Sequence, residues 1–593
     1  MAEIEELIKI RKEKESKIKD YGEIIRPDRF EYSHTLKEAR ALNDGTENVS
    51  IAGRLMAKRK MGKISFFDIQ DIEGYIQVVI KKAQIGEDLY NKLHETIDIG
   101  DFIGVTGSIF TTQAGEKSLQ AQKYQFLGKA YRPLPEKFHG LNSIEQQYRE
   151  RHLDLIMNDD TKKRFLLRSK FLRLFRNYMD EHGFIEVETP VLQNKASGAL
   201  AKPFIAHHNA HDMDVFLRTA PELTLKKLII GGFTNVYEVA RNFRNEGIDT
   251  SHLQDFTMIE GYSAYWNYQD NMKYIEGMIK HIIKGLYDTT IIEIGDKMVD
   301  FGKKWETVTF RNLLLKDTGI DIDNYQDSKS LLSEIRKKKI NLDIDNIEQL
   351  GRGNLIDQLY KKVSRPNIVG PIYLTEHPAD LSPLARSNDQ RPDITDRFQL
   401  IVNGQEILNG YSELVDAQEQ EKRLIDQSKL KTNGDEEAMD IDYEYIQAME
   451  YGMPPISGWG LGVDRFMQFL TNRENIRDVV LYPLMKPKGK FLTKNEESKD
   501  SILKECSKQL QSMKDKKITK KFIIKQDEKK ADFMENVNNY VERLQTKFPN
   551  TKPVFNIVLD NNKQKIGLEV ILEEKNIENG IININECIDK KLI

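Results

Sequence analysis

The chain has 593 residues, 39% hydrophobic and 31% charged, with a formal net charge of −4. Such a chain is long and apolar enough for about three to five globular domains, and its near balance of charge excludes a global basic field, so a nucleic-acid partner has to be met by local patches. The two cysteines, Cys506 and Cys587, exclude a disulfide framework or a cysteine metal cluster and fit a reducing, cytoplasmic setting; no apolar run reaches the roughly 18 residues of a membrane span, and the N-terminus, MAEIEELIKIRKEKESK, lacks the apolar core of a secretion signal.

Residues 1–45 read as a helical arm, with a charged helix over 2–20 whose apolar side is Ile4, Leu7, Ile8 and Ile10; a solvated arm is expected. From 46 to 130 the pattern changes to five short strands, VSIAGRL, KISFFDIQD, GYIQVVI, DFIGVTGSIF and SLQAQKYQFL, with a helix-like piece, Glu87–Leu93, between the third and fourth. That order predicts a Greek-key barrel of the OB type. Such barrels bind single-stranded nucleic acid by stacking bases on aromatics in a basic groove. Phe66 lies close to Lys58, Arg59, Lys60 and Lys63 and fits that use, although a lone phenylalanine also reads as core. The prolines of YRPLPEKFHG mark residues 131–157 as a hinge.

Thr161–Glu181 has the period of a helix, with Asp159, Asp160 or Thr161 as cap and Phe165, Leu166, Leu172 and Phe175 on its apolar face. It leads into an expected strand, Phe184–Leu192, that contains Pro190. A loop of small residues (Ala196–Phe204) and the run LRTAPEL (Leu217–Leu223) follow. The stretch Arg241–Tyr262, RNFRNEGIDTSHLQDFTMIEGY, then reads as strand, loop and returning strand, with Gly247 and Asp249 in the turn. It gathers Arg244, Glu246, His252, Phe256 and Glu260. Arginine binds a phosphate or carboxylate through a planar fork that keeps its charge, so cations and acids together suit a ligand with both a phosphate and an ammonium. By themselves these residues also fit a surface hairpin with an Arg–Glu ion pair.

Residues 270–370 mix helical runs with charged stretches and carry no assignable chemistry. In DRFQLIVNGQEILNGYSELVDAQEQ, the residues Glu406, Asn409 and Glu413 flank a turn at Gly410, and Glu406 has the chemistry to hold Mg²⁺ between phosphates. The glycines of GWGLGVDR, Gly458 to Arg465, open into a helix without a preceding βαβ unit, which argues against a dinucleotide loop. Beyond residue 488 a lysine- and glutamate-rich linker leads to an expected helix, Lys530–Thr546, and two strands, Val554–Leu559 and Lys565–Leu572. That appendage reads as a packing or dimer-buttressing module, or as an RNA or partner contact.

FRNE, a loop, His252 and FTMIE resemble motif 2 of the class II aminoacyl-tRNA synthetases, in a form similar to the lysyl-tRNA synthetases. The helix–strand–Pro unit resembles motif 1, GWGLGVDR resembles motif 3, and LPEKFHGL with YRERHLDLI resembles the family's hinge. The resemblance covers roughly residues 49–487. It implies an α+β chain: an OB-type anticodon-binding barrel (46–130), an antiparallel-sheet catalytic domain (158–488) with a helical insertion at about 270–370, and a small α/β appendage (489–593). It also implies ATP-dependent activation of L-lysine to lysyl-adenylate, with Mg²⁺, transfer to the 3′ end of tRNA(Lys), and a homodimer through the motif 1 helix.

The residue roles come from the same resemblance. Gly198 and Glu222 hold the α-ammonium, and Arg244 bridges the lysine carboxylate and the α-phosphate. Glu246 and His252 lie near ATP, Phe256 stacks adenine, and Arg465 binds the γ-phosphate. Glu260, Tyr262, Asn409 and Glu413 complete the lysine pocket. Phe66 stacks an anticodon base that Gln77 and Glu116 contact. The metal falls to Glu406 with Glu413 and Gln399, where Gln399 stands at a position usually held by glutamate. Gly261, usually larger, and Trp459, bulky for motif 3, are further departures. Apart from the family, three carboxylates, one phenol and one arginine match the two ammoniums and one carboxylate of lysine, and an acidic far end disfavours aspartate. A lysine-activating paralogue that modifies a protein and a catalytically silent RNA-binding scaffold are the alternatives.

Overall fold

A computed structural model describes residues 2–135, 141, 143–195, 198–199, 201–342, 344, 347–432 and 441–487, and beyond these the backbone of three strands between 518 and 573. The chain divides into two compact units, residues 1–483 and 484–593.

Helix α1 (Ala2–Asp20) is no solvated arm. Its last turns rest on the barrel, where Ile18 joins Ile25 and Phe126 in a small buried cluster. Arg11 Nη1 donates to the carbonyl of Ala130 at 2.8 Å, and Lys14 Nζ lies 2.5 Å from Asp98 Oδ1. Those cations are engaged by protein groups.

Five strands close a barrel: β1 (Val49–Met61), β2 (Ile64–Gln70), β3 (Tyr75–Lys81), β4 (Phe102–Thr111) and β5 (Lys117–Gly128), in the order β1-β2-β3-β5-β4 with β4 returning to β1. Helix α2 (Glu87–Thr96) fills the connection between β3 and β4. Alternation along β2 sends Phe67 into the core and leaves Phe66 half-buried on the outer face, since successive side chains of a strand point to opposite faces.

The larger body is one eight-stranded sheet. In chain order its strands are β6 (Ile185–Glu186), β7 (Asn235–Phe243), β8 (Asp255–Ala264), β9 (Glu306–Thr309), β10 (Ile372–Pro378), β11 (Ile394–Val402), β12 (Gln405–Ser412) and β13 (Ile456–Gly462). In space they run β9-β10-β11-β12-β13-β8-β7-β6. All pairs are antiparallel except the two edges, where β6 runs parallel to β7 and β9 to β10. Helices α3 (Asp159–Glu181) and α5 (Tyr268–Tyr287) cover one face, while α4 (Glu222–Ile230) and α6 (Val463–Leu470) frame the site.

Helix α5 starts at a reciprocal cap between Asn267 and Asp270, which satisfies two free backbone donors. Its residues Ile275, Met278, Ile279 and Ile282 recur at helical spacing and form the core with Phe171 and Phe175 of α3 and with Tyr237, Phe398 and Leu461 of the sheet. On α3 the buried stripe is Phe171, Phe175, Tyr178 and Met179; Leu166, expected on that face, is 45% exposed. The strand expected over Phe184–Leu192 is interrupted. Only Ile185–Glu186 joins the main sheet, and Leu192–Gln193 pairs elsewhere, with Met213–Leu217. Pro190 lies between them and has no N–H to give a ladder.

In the second unit, β14 (Ile518–Ile523), β15 (Lys552–Asp560) and β16 (Lys565–Glu573) form an antiparallel sheet with β16 central. The last two match the expected strands, and the first was not anticipated. The helix expected over 530–546 lies outside the described residues.

Candidate active site

The antiparallel ladder between β7 and β8 sets the floor of the site. Its register pairs Phe243 with Asp255 and Asn235 with Ser263, so residues 244–254 form the connecting loop. Asp249 organises that loop. Its Oδ1 accepts from the backbone N–H of Ser251 at 2.6 Å and of His252 at 2.8 Å, and its Oδ2 lies 2.6 Å from His252 Nδ1. Although burial opposes it, these hydrogen bonds hold the Asp249 carboxyl down to about 2. His252 is thereby oriented, and its Nε2 lies 3.5 Å from Nη2 of Arg465, at the start of α6.

Three motifs of remote sequence are tied at one point. Asp464 Oδ1 lies 2.5 Å from Arg168 Nη1 of α3, and its Oδ2 accepts the backbone N–H of Thr257 at 2.6 Å. Arg168 also reaches Thr257 Oγ1 at 3.1 Å. A nearly buried acid paired with an arginine and a backbone donor fixes its neighbours' geometry. Here it positions Arg465 relative to Phe256.

A cavity of about 410 Å³ opens over this floor. Gly198, Glu222, Arg244, Glu246, His252, Phe256, Glu260, Glu406, Asn409 and Arg465 all line it, which brings together ten of the residues expected from the sequence. Gly198 has φ +91°, a backbone conformation that glycine adopts without cost. The Arg244 guanidinium stacks over the Phe256 ring at 5.1 Å. Tyr262 and Glu413 lie behind the wall, buried, and act on the cavity through its lining.

One end of the cavity is acidic. Glu222, Glu260 and Glu413 are all buried. Tyr262 Oη donates to Glu260 Oε2 at 3.1 Å, and Tyr411 Oη donates to Glu222 Oε1 at 2.7 Å. Loss of solvent, with Glu222 nearby, pushes Glu260 up to about 8. Burial likewise lifts Glu413 to about 8, against the opposing pull of Lys226. At the other end Gln399 Nε2 donates to Glu406 Oε2 at 2.8 Å. Glu413, expected beside Glu406 at a metal, instead lies 2.5 Å from Lys226 Nζ, because the chain leaves β12 after Ser412 and turns toward α4. Among the described residues no three His, Cys, Asp or Glu side chains converge on a metal position.

Residues 143–486 match the model of the class II tRNA synthetases (D, K and N), and residues 49–127 match that of the OB-fold nucleic acid binding domain. Lysine–tRNA ligases of Escherichia coli (strain K12) and of Shigella boydii serotype 4 (strain Sb227) are each 42% identical over 493 residues, covering 81% of this chain and 96% of each relative. That of Enterobacter sp. (strain 638) is 42% identical over 494 residues, with the same coverage. The chain belongs to the class II tRNA synthetases, among the lysine–tRNA ligases.

Three residues of this synthetase site escaped the sequence reading. Arg397 lines the cavity and donates from Nε to Asn409 Oδ1 at 2.8 Å and from Nη1 to Ser382 Oγ at 2.8 Å, so it holds Asn409 in place. Tyr411 is brought to Glu222 from 189 residues away. Neither carries a local signal. Lys226 does: it follows Glu222 by four residues on one helix, the spacing at which a glutamate and a lysine meet.

On the barrel, Phe66 and Gln77 lie on the outer surface of β2 and β3, and Glu116 immediately precedes β5. Gln77 pairs across to Asp68 on one side and to Ser118 on the other. Ser118 Oγ donates to Gln77 Oε1 at 3.2 Å, and Glu116 Oε1 lies 3.6 Å from Arg40 Nη2. Among the described residues no helix is long and apolar enough to cross a membrane.

Proposed function

We propose that this lysine–tRNA ligase joins lysine to ATP in the 410 Å³ cavity, with the acidic end as the amino-acid pocket and the end bearing Arg465 and Glu406 as the phosphate site. Lysyl-adenylate and pyrophosphate form first, and the lysyl group then passes to the 3′ end of tRNA(Lys). The observation that carries the reading is the buried group of Glu222, Glu260 and Glu413 at one end of a cavity whose other end holds arginine. A buried ammonium needs carboxylate partners to offset its desolvation. A substrate with a neutral far end leaves a carboxylate unpaired, which site geometry of this kind rejects by several orders of magnitude.

The residues act by position. Glu222 and the Gly198 backbone take the α-ammonium, and Glu260 with Tyr262 and Glu413 takes the ε-ammonium. Asn409, held by Arg397, contributes the remaining polar contact. Arg244 lies where the lysine carboxylate meets the α-phosphate, and its fixed charge offsets the negative charge that grows on phosphorus during transfer. Phe256 offers its free face to adenine, Glu246 and His252 close the loop over ATP, and Arg465 holds the γ-phosphate. Alignment of the two substrates and charge neutralisation supply the acceleration without a protein nucleophile.

Mg²⁺ fits the phosphate end. Gln399 Nε2 holds the Glu406 carboxylate, which lines the cavity, and the buried Gln399 Oε1 lies by the His377 ring without a close hydrogen bond. One carboxylate and one amide oxygen, with substrate phosphates and water, suit a small hard cation. Glu406 and Gln399 would hold the ion, whose chemistry is to neutralise charge shared between phosphates. Phe66, Gln77 and Glu116 form the anticodon contact on the barrel. Pairing of two copies along α3 is supported by the exposed apolar side chain of Ile185 on the edge strand β6. We place the enzyme in the cytoplasm, where its two cysteines stay reduced.

Amino-acid-dependent ATP–pyrophosphate exchange, run across the standard amino acids with Mg²⁺, tests the reading. Exchange with lysine is expected. Silence with every amino acid from folded protein, or exchange with aspartate, contradicts it.

A further inference from the structure

Lys226 is the least expected member of the acidic end. It is fully buried on α4, and its Nζ lies 2.6 Å from Glu222 Oε1 and 2.5 Å from Glu413 Oε2. The ammonium also sits over the rings of Tyr411 and Tyr262, at 5.7 and 6.0 Å from their centroids. It does not line the cavity; of the two carboxylates that it touches, Glu222 stands in the cavity wall and Glu413 behind it. Burial by itself lowers a lysine's pKa, but Glu222 and Glu413 reverse that and raise it above the ordinary range, so this side chain stays charged.

We propose that Lys226 is a specificity-determining positioning residue: a built-in ammonium that takes one of three buried carboxylate charges and leaves two, the number that the two ammoniums of a bound lysine require. The inference rests on lysine being the substrate. Once bound lysine has displaced the protons that Glu260 and Glu413 hold in the empty site, Glu222, Glu260 and Glu413 against Lys226 leave a net charge of minus two, and Arg244, in the cavity wall, faces the substrate's carboxylate. Without Lys226 the same cluster holds one charge too many. Buried carboxylates in that state take up protons or separate, and those that face the substrate lose both charge and orientation. Lys226 also holds Glu413 against α4 and shares Glu222 with Tyr411, which fixes where Glu222 stands in the cavity wall.

The test is chemical rescue in the full-length enzyme, with wild type alongside. Lys226→Ala is expected to raise the KM for lysine roughly 100-fold, the scale on which a broken buried ion pair acts, with little change in the KM for ATP. Millimolar propylammonium is expected to restore lysine affinity, and propanol, of similar size without the charge, is not. Equal rescue by both, or a KM for lysine that does not move, reduces Lys226 to packing and overturns the proposal. The second variant pair is Lys226→Met and Lys226→Met/Glu413→Gln, which removes the cation alone or with one acid. The double variant is expected to bind lysine better than the single one. Should the single variants not fold, a double variant that recovers folded, lysine-dependent enzyme supports the proposal, and one no better than the singles overturns it. If wild type itself shows no lysine-dependent exchange, the substrate reading fails instead.

Discussion

Gly261 of β8 and Trp459 of β13 are direct partners across the sheet, and each occupies the space the other leaves. A Cβ on Gly261 would stand 2.6 Å from Cζ2 of the Trp459 indole. Two departures from the family's usual residues, one unusually small and one unusually large, are thus a single exchange of volume in the core. Trp459 is 2% exposed and packs edge-on against Phe175 at 6.3 Å, which ties the strand to α3.

The pair is expected to behave as one unit. Gly261→Val drives a branched side chain into the indole and should cost about 1–3 kcal/mol. Trp459→Ala removes a large buried ring and should cost about 3–5 kcal/mol. Combined, the two should cost clearly less than their sum, because the new side chain fills part of the vacated space. Urea unfolding of the four proteins measures this; additive costs would mean the residues do not share that volume.

Protonation of the acidic end gives a pH dependence of known sign. Glu260 and Glu413 are each pushed up to about 8 by burial, well above their value in an unfolded chain. The empty folded enzyme therefore holds protons there that the unfolded chain has already lost, so its stability should fall as pH rises from about 5 to about 8. Saturating lysine should flatten that fall by supplying ammoniums. For the same reason lysine binding should release protons at neutral pH, and lysine affinity should rise between pH 6 and 8. Titration calorimetry in two buffers of different ionisation enthalpy reads the proton release directly.

Much of the site was legible because its residues lie in short, dense motifs. Arg244, Glu246, His252, Phe256 and Glu260 fall within 17 residues of sequence, and a single hairpin brings them together. The barrel was legible from period-two alternation, which also separates Phe67 from Phe66. What stayed hidden depends on contacts between distant segments. Arg397 and Tyr411 gain their roles only when the strands of the sheet lie side by side. The association of Glu413 with Lys226 rather than with Glu406 follows from where the chain leaves β12, which local pattern does not encode. The arm was misjudged because one deep contact, Ile18, outweighs its exposed Ile4, Leu7 and Ile10.

Gln399 gives Glu406 a hydrogen-bond donor where a glutamate would give a second negative charge. Gln399→Glu should therefore lower the Mg²⁺ concentration needed for half-maximal exchange severalfold, while leaving the KM for lysine close to wild type. A Mg²⁺ titration of pyrophosphate exchange measures it, and an unchanged Mg²⁺ requirement would remove Gln399 from the metal's surroundings.

Phe66 should matter to tRNA alone. Loss of one stacked base costs about 1–3 kcal/mol, so Phe66→Ala should weaken tRNA(Lys) binding by roughly tenfold or more and leave lysine-dependent exchange untouched. Filter binding and exchange assays on the same preparation separate the two effects.

The most direct test of the account is the affinity of Glu260→Gln for each substrate, measured by calorimetry. Glutamine keeps the shape of the side chain and removes its capacity for negative charge. Lysine affinity should fall by about 100-fold, with ATP affinity within a few-fold of wild type. An equal loss of both would contradict the assignment of the acidic end as the lysine pocket.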